Sequence, residues 1–151
     1  MSYRPNKIIS GGQTGADIAG LDFAIDHGIL HGGYCPKRRL SEGGAIPEKY
    51  QLTELPSKDY AKRTRANVEA SDATLIFVGK ELSRGSKLTA KCCEELQKPY
   101  LVIDSSIDAV EVKKFLDQHQ PAILNIAGSR ASKEPMIGNR VRAVLNVVIA
   151  T

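Results

Sequence analysis

The sequence lacks the residues that usually build aromatic, metal or disulfide sites. Its 151 residues include no tryptophan, and aromatic residues make up only 5%, so a ligand cage made mainly of stacked rings is not expected. The cysteines are Cys35, Cys92 and Cys93, and no CxxC spacing suggests a zinc or redox pair. Their odd number favours a reducing compartment. The three histidines lack metal-ligand spacing, so no metal site is predicted.

Long hydrophobic runs are also missing. Neither a signal-peptide core nor an apolar stretch near 18 residues appears, which predicts a cytoplasmic protein with no membrane segment. The formal net charge of +4 and pI near 9.0 fit an anionic small ligand as well as a nucleic acid. The length and the 42% hydrophobic content predict one globular domain over residues 1–151.

Short apolar runs alternate along the chain with segments of helical period. This alternation predicts an α/β fold, a single Rossmann-like, doubly wound parallel sheet with helices on both faces. Strands are expected at 7–10, 29–34, 73–78, 99–103 and 122–127, with a short edge strand at 51–55. Helices are expected at about 14–27 and 57–71, then from 86, from 109 and from about 135, the last with an apolar stripe.

The turn after the first strand is rich in glycine. In such sheets ligands bind outside the carboxyl ends of the strands, and consecutive glycines let backbone N–H groups approach an oxyanion at a helix start. The alternative is a tight turn that needs small residues for packing. Asp17 is unfavourable next to a phosphate, so it would bind a ligand hydroxyl or cap locally. The predicted anion-binding residues of this turn are Gly11, Gly12, Gln13, Thr14 and Gly15.

A second candidate segment leaves the strand at 73–78 and enters the next helix. Arg84 and Lys87 lie near the start of that helix, where the helix dipole disfavours cations unless an anion compensates. Simple solvation of both side chains is the alternative reading. The predicted binding residues of this segment are Gly79, Gly85, Ser86 and Thr89.

Six further residues, from three segments of the chain, complete the predicted site. Gly128, Ser129 and Arg130 leave the last strand, and Arg130 can offer its guanidinium fork to a phosphate or carboxylate. Arg63 and Asn67 share one face of a helix that has few core residues. Lys37, in a basic run, is either solvated or part of a lid over the ligand.

Several of these motifs together resemble the molybdenum cofactor carrier protein family. The resemblance rests on Gly11–Asp17, Gly32–Lys37, Tyr60 with Arg63–Thr64 and Asn67–Val68, Ser71–Thr74, and Gly85–Ser86 with Leu88–Thr89. It implies a Rossmann-like fold related to the LOG-type phosphoribohydrolases. It further implies an oligomeric carrier, a dimer or tetramer, that binds the phosphate-bearing molybdenum cofactor (molybdopterin), with molybdoenzymes as candidate recipients.

One departure from the LOG-type enzymes bears on catalysis. Their PGGxGTxxE motif carries a glutamate that acts on the ribosyl bond, and aligning Gly85–Ser86 with its Gly-Thr places Thr89 at that position. A threonine cannot act as a general acid or base near neutral pH. A non-catalytic carrier of the cofactor or a related nucleotide is therefore favoured over a nucleotide phosphoribohydrolase. Nucleic-acid binding through the basic loops is the weakest reading, since no known module is present.

Overall fold

The apolar runs of the sequence form the strands of a central sheet. A computed structural model describes residues 2–150, and its helices there are α1 (Ala16–Asp26), α2 (Tyr60–Ala70), α3 (Arg84–Glu95), α4 (Ala109–His119) and α5 (Ile137–Val148). The strands of the same residues are β1 (Lys7–Ile9), β2 (Leu30–Gly32), β3 (Tyr34–Cys35), β4 (Leu40–Ser41), β5 (Gly44–Ala45), β6 (Thr53–Glu54), β7 (Ala73–Phe77), β8 (Tyr100–Ile103) and β9 (Ile123–Gly128).

Five strands make one parallel sheet in the order β2-β1-β9-β7-β8. From β1 the chain moves outward to β2, whereas from β7 it moves outward to β8 in the opposite direction. The direction in which the chain adds successive strands to the sheet therefore reverses around β1, β9 and β7. Because the strands are parallel, the loops that leave these three strands lie side by side at one edge of the sheet. Such a reversal is where doubly wound sheets bind ligands.

The sheet is covered on both faces, as its most buried strand shows. Leu75 and Phe77 of β7 belong to the main core, which includes residues of α1, α4 and α5. Ile76 and Val78 pack instead with Ala90 of α3. Neighbouring residues of a strand point to opposite faces, so the helices divide between the two sides. The predicted Rossmann-like α/β class is confirmed.

Three helices begin at residues other than the predicted ones. α1 begins at Ala16 rather than at position 14. α2 follows Asp59, whose carboxylate accepts a hydrogen bond from the amide of Ala61, so the helix does not begin at position 57. α3 begins at Arg84, because the hydroxyl of Ser83 accepts from the amide of Ser86. In α2 and α3 a side-chain cap thus satisfies one of the first amides, whereas the first amide of α1 donates to the carbonyl of Ser129.

The predicted strand at 29–34 is divided in two. Gly33 has φ +127° and lies against the carbonyl oxygen of Ser10, where a Cβ would come within 2.1 Å. The bend there sends β3 away from the main sheet to pair in parallel with β6, within the segment predicted as an edge strand. The loop predicted over 35–47 also contains an antiparallel hairpin formed by β4 and β5.

The apolar stripe of α5 is used inside the chain. Ile137, Val141, Leu145 and Val148 are all buried in the main core. This stripe therefore gives no support to the predicted homo-oligomer, which depends on the family resemblance alone. Among the described residues, none of the helices is long and apolar enough to cross a membrane.

Candidate functional site

A cleft of about 1080 Å³ opens where the loops after β1, β7 and β9 meet. Its volume is near the upper end for small-molecule sites. Its lining carries five cationic side chains and three carboxylates, a formal charge of 5 − 3 = +2. The cations are Arg63, Lys80, Arg84, Arg130 and Lys133, and the acids are Asp17, Glu81 and Glu134.

A buried ion pair lies at the inner end of the cleft. Arg63 of α2 contacts the carboxylate of Asp17 at 3.3 Å, and their side chains are 12% and 5% exposed. The amide of Gln13 donates to the same carboxylate at 3.2 Å. Burial raises the pKa of Asp17, although Arg63 and the backbone donors act in the opposite direction. Asp17 thus caps its own turn, one of the two roles that the sequence left open for it.

The glycine-rich turn is closely packed. A Cβ on Gly15 (φ +85°) would come within 2.4 Å of the carbonyl oxygen of Ser129, which already accepts a hydrogen bond from the first amide of α1. A Cβ on Gly11 would overlap Arg63, and one on Gly12 would overlap Leu52. Packing therefore explains why this turn needs small residues, while an anion-binding role for it stays a prediction.

The β4–β5 hairpin closes over this turn at the edge of the cleft. The side-chain amide of Gln13 donates to the carbonyl of Leu40, and its oxygen accepts from the amide of Glu42, both at 3.4 Å. The Glu42 carboxylate accepts hydrogen bonds from the hydroxyls of Thr14 and Ser132. These two hydroxyls, the Ser132 hydroxyl foremost, lower the pKa of Glu42. The sequence alone does not identify Glu42 as a residue of this region, because its hydrogen-bond partners Thr14 and Ser132 lie 28 and 90 residues away in the chain.

The start of α3 presents backbone donors to the cleft. The Ser83 hydroxyl accepts from the amide of Ser86. The amides of Arg84 and Gly85, two exposed residues of the first turn, have no acceptor within residues 2–150, because the first amides of a helix have no intrahelical partner. A Cβ on Gly85 would meet nothing within 4 Å. Thr89 donates its hydroxyl proton to the carbonyl of Gly85 at 3.0 Å, and threonine has no acid–base capacity near neutral pH.

Two arginines of the cleft share one aromatic ring. The guanidinium carbons of Arg63 and Arg130 lie 5.5 and 5.2 Å from the centre of the Tyr60 ring. A cation within about 6 Å of a ring centre gains electrostatic energy from the π face. The Nε atom of Arg63 is buried without a hydrogen-bond partner among residues 2–150. Tyr60 therefore holds two cations near each other at the cleft.

The predicted site residues divide into three groups. Asn67 and Gly11 border a small void of about 10 Å³ that shares lining residues such as Arg63 and Thr89 with the cleft, and both polar groups of the Asn67 side chain bind the backbone of Tyr34. Lys37 is exposed and is not in the cleft lining, and Gly12, Thr14, Gly15 and Ser86 flank the cleft without lining it. The cleft lining includes the others, namely Gln13, Arg63, Gly79, Gly85, Thr89, Gly128, Ser129 and Arg130.

One arginine of the basic run that contains Lys37 has a structural role. Arg39 donates to the carbonyls of Ile46, Pro47 and Tyr50, at 2.9, 2.8 and 2.7 Å. This arginine thus braces the segment after the β4–β5 hairpin. Over the described range 2–150, no group of three or more His, Cys, Asp or Glu residues could hold a metal ion.

Comparison with known proteins gives a consistent picture. The model of the circularly permutated YpsA SLOG family matches residues 8–149. A crystal structure of a putative molybdenum carrier protein from Syntrophus aciditrophicus is similar with 47% identity and a TM-score of 0.95, over 99% of this chain and 98% of that one. The search of curated proteins gave no match. Because the family model covers nearly the whole length, the chain belongs to the circularly permutated YpsA SLOG family.

Proposed function

We propose that this protein is a cytoplasmic, non-catalytic carrier that binds the molybdenum cofactor, a pterin with a terminal phosphate. The observation that carries the proposal is the convergence of Arg63, Arg130 and two free amides of α3 on one cleft. Guanidinium groups and helix-start amides are the donors that proteins use for phosphate. The name of the 47% identical structure, a putative molybdenum carrier, supports the choice of cofactor.

The residues of the cleft fit such a ligand. The Nε atom of Arg63 is a buried donor without a partner in the described residues, and the amides of Arg84 and Gly85 also lack acceptors there. Buried polar groups are normally hydrogen-bonded, so a phosphate that binds Arg63 would supply the acceptor that its Nε lacks. Arg84 and Gly85 are exposed, and their amides are open to the same phosphate. When bound, the cofactor supplies the molybdenum and its pterin ligand, while Arg63 and Arg130 would hold the phosphate and Gly85 would leave room for it.

The residues at the start of α3 support a carrier protein rather than a phosphoribohydrolase. When Gly85–Ser86 is aligned with the Gly-Thr of the hydrolase motif, Thr89 takes the position of the glutamate. Its hydroxyl donates to the carbonyl of Gly85. No general acid is therefore placed one turn into this helix. We expect no release of free base when the protein is incubated with the common nucleoside monophosphates.

The test is cofactor retention. Molybdenum cofactor freed from a molybdoenzyme is added to the protein, which is then desalted, weighed by native mass spectrometry and assayed for pterin fluorescence after oxidation. The wild type is expected to retain cofactor, and Arg130→Ala to bind about tenfold or more weakly, because a hydrogen bond to a charged group contributes about 1.5–3 kcal/mol. The same spectra report whether the carrier is a dimer or tetramer.

A matched variant controls for the loss of positive charge. Arg65 of α2 is 50% exposed, compared with 42% for Arg130, and it pairs with Glu95 outside the cleft lining. Arg65→Ala should therefore retain cofactor as the wild type does. Equal retention by Arg130→Ala and Arg65→Ala, or no retention by the wild type, would contradict the proposal. Release of free base from a nucleoside monophosphate would favour the phosphoribohydrolase instead.

A further inference from the structure

The carboxylate of Glu42 sits inside a set of hydrogen-bond donors. Its Oε1 accepts from the Ser132 hydroxyl at 2.7 Å, and its Oε2 accepts from the Ser132 amide at 3.2 Å and from the Thr14 hydroxyl. Arg130 lies 4.0 Å from Oε1. The donors come from the loops after β1 and β9, at the edge of the cleft, and none of them belongs to the hairpin that carries Glu42.

This donor set has the chemistry of an oxyanion site. Two hydroxyls and one backbone amide donate to the two oxygens of a single anionic group, and one guanidinium lies at ion-pair distance from one of them. Phosphate oxygens accept hydrogen bonds from the same donors as carboxylate oxygens do. Thr14 and Arg130, which the sequence marks as candidate anion ligands, are thus both directed at Glu42 instead.

We propose that Ser132, Thr14 and Arg130 form an oxyanion subsite of the cleft, which Glu42 occupies as an internal competitor and which a ligand phosphate takes when the β4–β5 hairpin moves away. The nature of the natural ligand rests on the proposed function, but the subsite itself does not. In this proposal the Glu42 carboxylate blocks the subsite until an anionic ligand displaces it.

The hairpin is held in a way that permits this displacement. Residues 40–45 contribute no buried side chain, and every one of them is exposed or half-buried. Besides Glu42, the hairpin contacts the turn after β1 through two hydrogen bonds of Gln13, both 3.4 Å long. A segment with few buried apolar contacts opens at low cost. Moving it therefore exchanges polar contacts without opening a core.

Removal of the competitor should tighten anion binding. If the hairpin is closed for about nine-tenths of the time, the apparent affinity of the subsite is about tenfold below its intrinsic value. We therefore expect Glu42→Ala to bind inorganic phosphate about tenfold more tightly than the wild type in isothermal titration calorimetry. Glu48→Ala removes an equal charge from an exposed neighbouring segment that is not in the cleft lining, and it should bind phosphate as the wild type does.

Two further measurements locate the effect. The double variant Glu42→Ala with Ser132→Ala should lose most of the gained affinity, because it lacks a donor of the subsite. In the wild type, saturating phosphate should speed hydrogen exchange in the peptide that covers residues 40–45. Equal or weaker phosphate binding by Glu42→Ala, a gain matched by Glu48→Ala, or unchanged exchange at saturation would overturn the proposal.

Failure of this proposal can be told apart from failure of the proposed function. Wild-type protein that retains molybdenum cofactor while Glu42→Ala shows no gain for phosphate would overturn the subsite and leave the carrier function intact. Tighter phosphate binding by Glu42→Ala, with no cofactor retained by either protein, would support the subsite and contradict the carrier function.

Discussion

Arg63 reaches across the cleft from α2 to contact the carboxylate of Asp17 on α1 at 3.3 Å. The pair joins helices that lie on opposite faces of the sheet, at the point where the predicted ligand residues gather. It also keeps the guanidinium that we assign to the ligand phosphate at a fixed place. Asp17 is therefore a positioning residue for Arg63.

Replacing Asp17 should destabilise the fold. In Asp17→Ala the buried guanidinium of Arg63 loses its counter-charge and the amide of Gln13 loses its acceptor, and breaking a buried pair costs about 3–5 kcal/mol. Urea unfolding followed by circular dichroism measures the loss. Asp26→Ala, at an exposed position of the same helix, should stay within about 0.5 kcal/mol of the wild type. Similar urea midpoints for the two variants would show that the pair contributes nothing.

The Tyr60 ring should matter for anion binding and its hydroxyl should not. The ring lies near two guanidinium groups, and a cation–π contact contributes about 0.5–2 kcal/mol. We expect Tyr60→Leu to weaken phosphate binding about threefold or more in calorimetric titrations, and Tyr60→Phe to bind as the wild type does. Weaker binding by Tyr60→Phe would assign the effect to the hydroxyl group.

Arg140 of α5 should be important for stability. Its guanidinium donates to the carbonyls of Val78, Ile103, Asp104 and Ile107, at or just beyond the ends of β7 and β8. Truncation to alanine removes the side-chain donor of the Val78 and Ile107 carbonyls, whereas those of Ile103 and Asp104 also accept from backbone amides. Each unsatisfied group costs about 1–3 kcal/mol, so Arg140→Ala should unfold at clearly lower urea concentration.

Two variants of α5 test this interpretation. Arg140→Lys should rescue only part of the loss, because one ammonium group cannot serve four carbonyls. Arg142→Ala removes a guanidinium that bonds Asn139 on the same helix and should change the urea midpoint little. An Arg140→Ala midpoint equal to that of Arg142→Ala would refute the role.

Stability should depend on pH through Glu42. Its pKa is lowered in the fold from the usual 4.5, so its contribution to the free energy of unfolding is fully present above the unfolded pKa and is lost as pH falls through the lowered folded pKa. Glu42→Gln should therefore unfold at a lower urea midpoint than the wild type at pH 7. The two midpoints should converge as the pH falls below 4.5. A constant difference at all pH values would contradict this assignment.

The cysteines should react slowly in the native protein. Cys35, Cys92 and Cys93 are buried, and burial raises the pKa of each thiol. Because the thiolate is the reactive form, we expect iodoacetamide to modify native protein far more slowly than urea-unfolded protein, as measured by intact mass. Rapid labelling of the native form would show an exposed or activated thiol.

The sequence predicts the sheet better than the site. The apolar run around Leu75 is long enough to mark a buried strand, and parallel strands of a doubly wound sheet bring their exit loops together. Because Gln13 and Arg130 follow two such strands, the sequence predicts that both lie near the cleft. By contrast, no local pattern shows that Arg63 pairs with Asp17, or that Glu42 meets Ser132, because the partners lie 46 and 90 residues apart in the chain.

The predicted first residues of the helices differ from the observed ones for a more local reason. Both Ser83 and Ser86 are good N-cap residues, and the first of them accepts a hydrogen bond from the amide of the second. Which of two nearby cap residues is used depends on where the preceding strand ends. The sequence alone does not fix that end to within one or two residues. The strand predicted over 29–34 is divided because Gly33, at φ +127°, bends the chain between β2 and β3.

The position of β9 in the sheet has a consequence for synthesis on the ribosome. This strand is the last of the sheet in chain order, yet it lies between β1 and β7. Until Ile123–Gly128 has left the exit tunnel, the nascent chain holds two half-sheets, β2-β1 and β7-β8, whose inner edges have no partner, and unpaired strand edges are prone to association. The five-stranded sheet can therefore close only after β9 has been synthesised and has entered between β1 and β7.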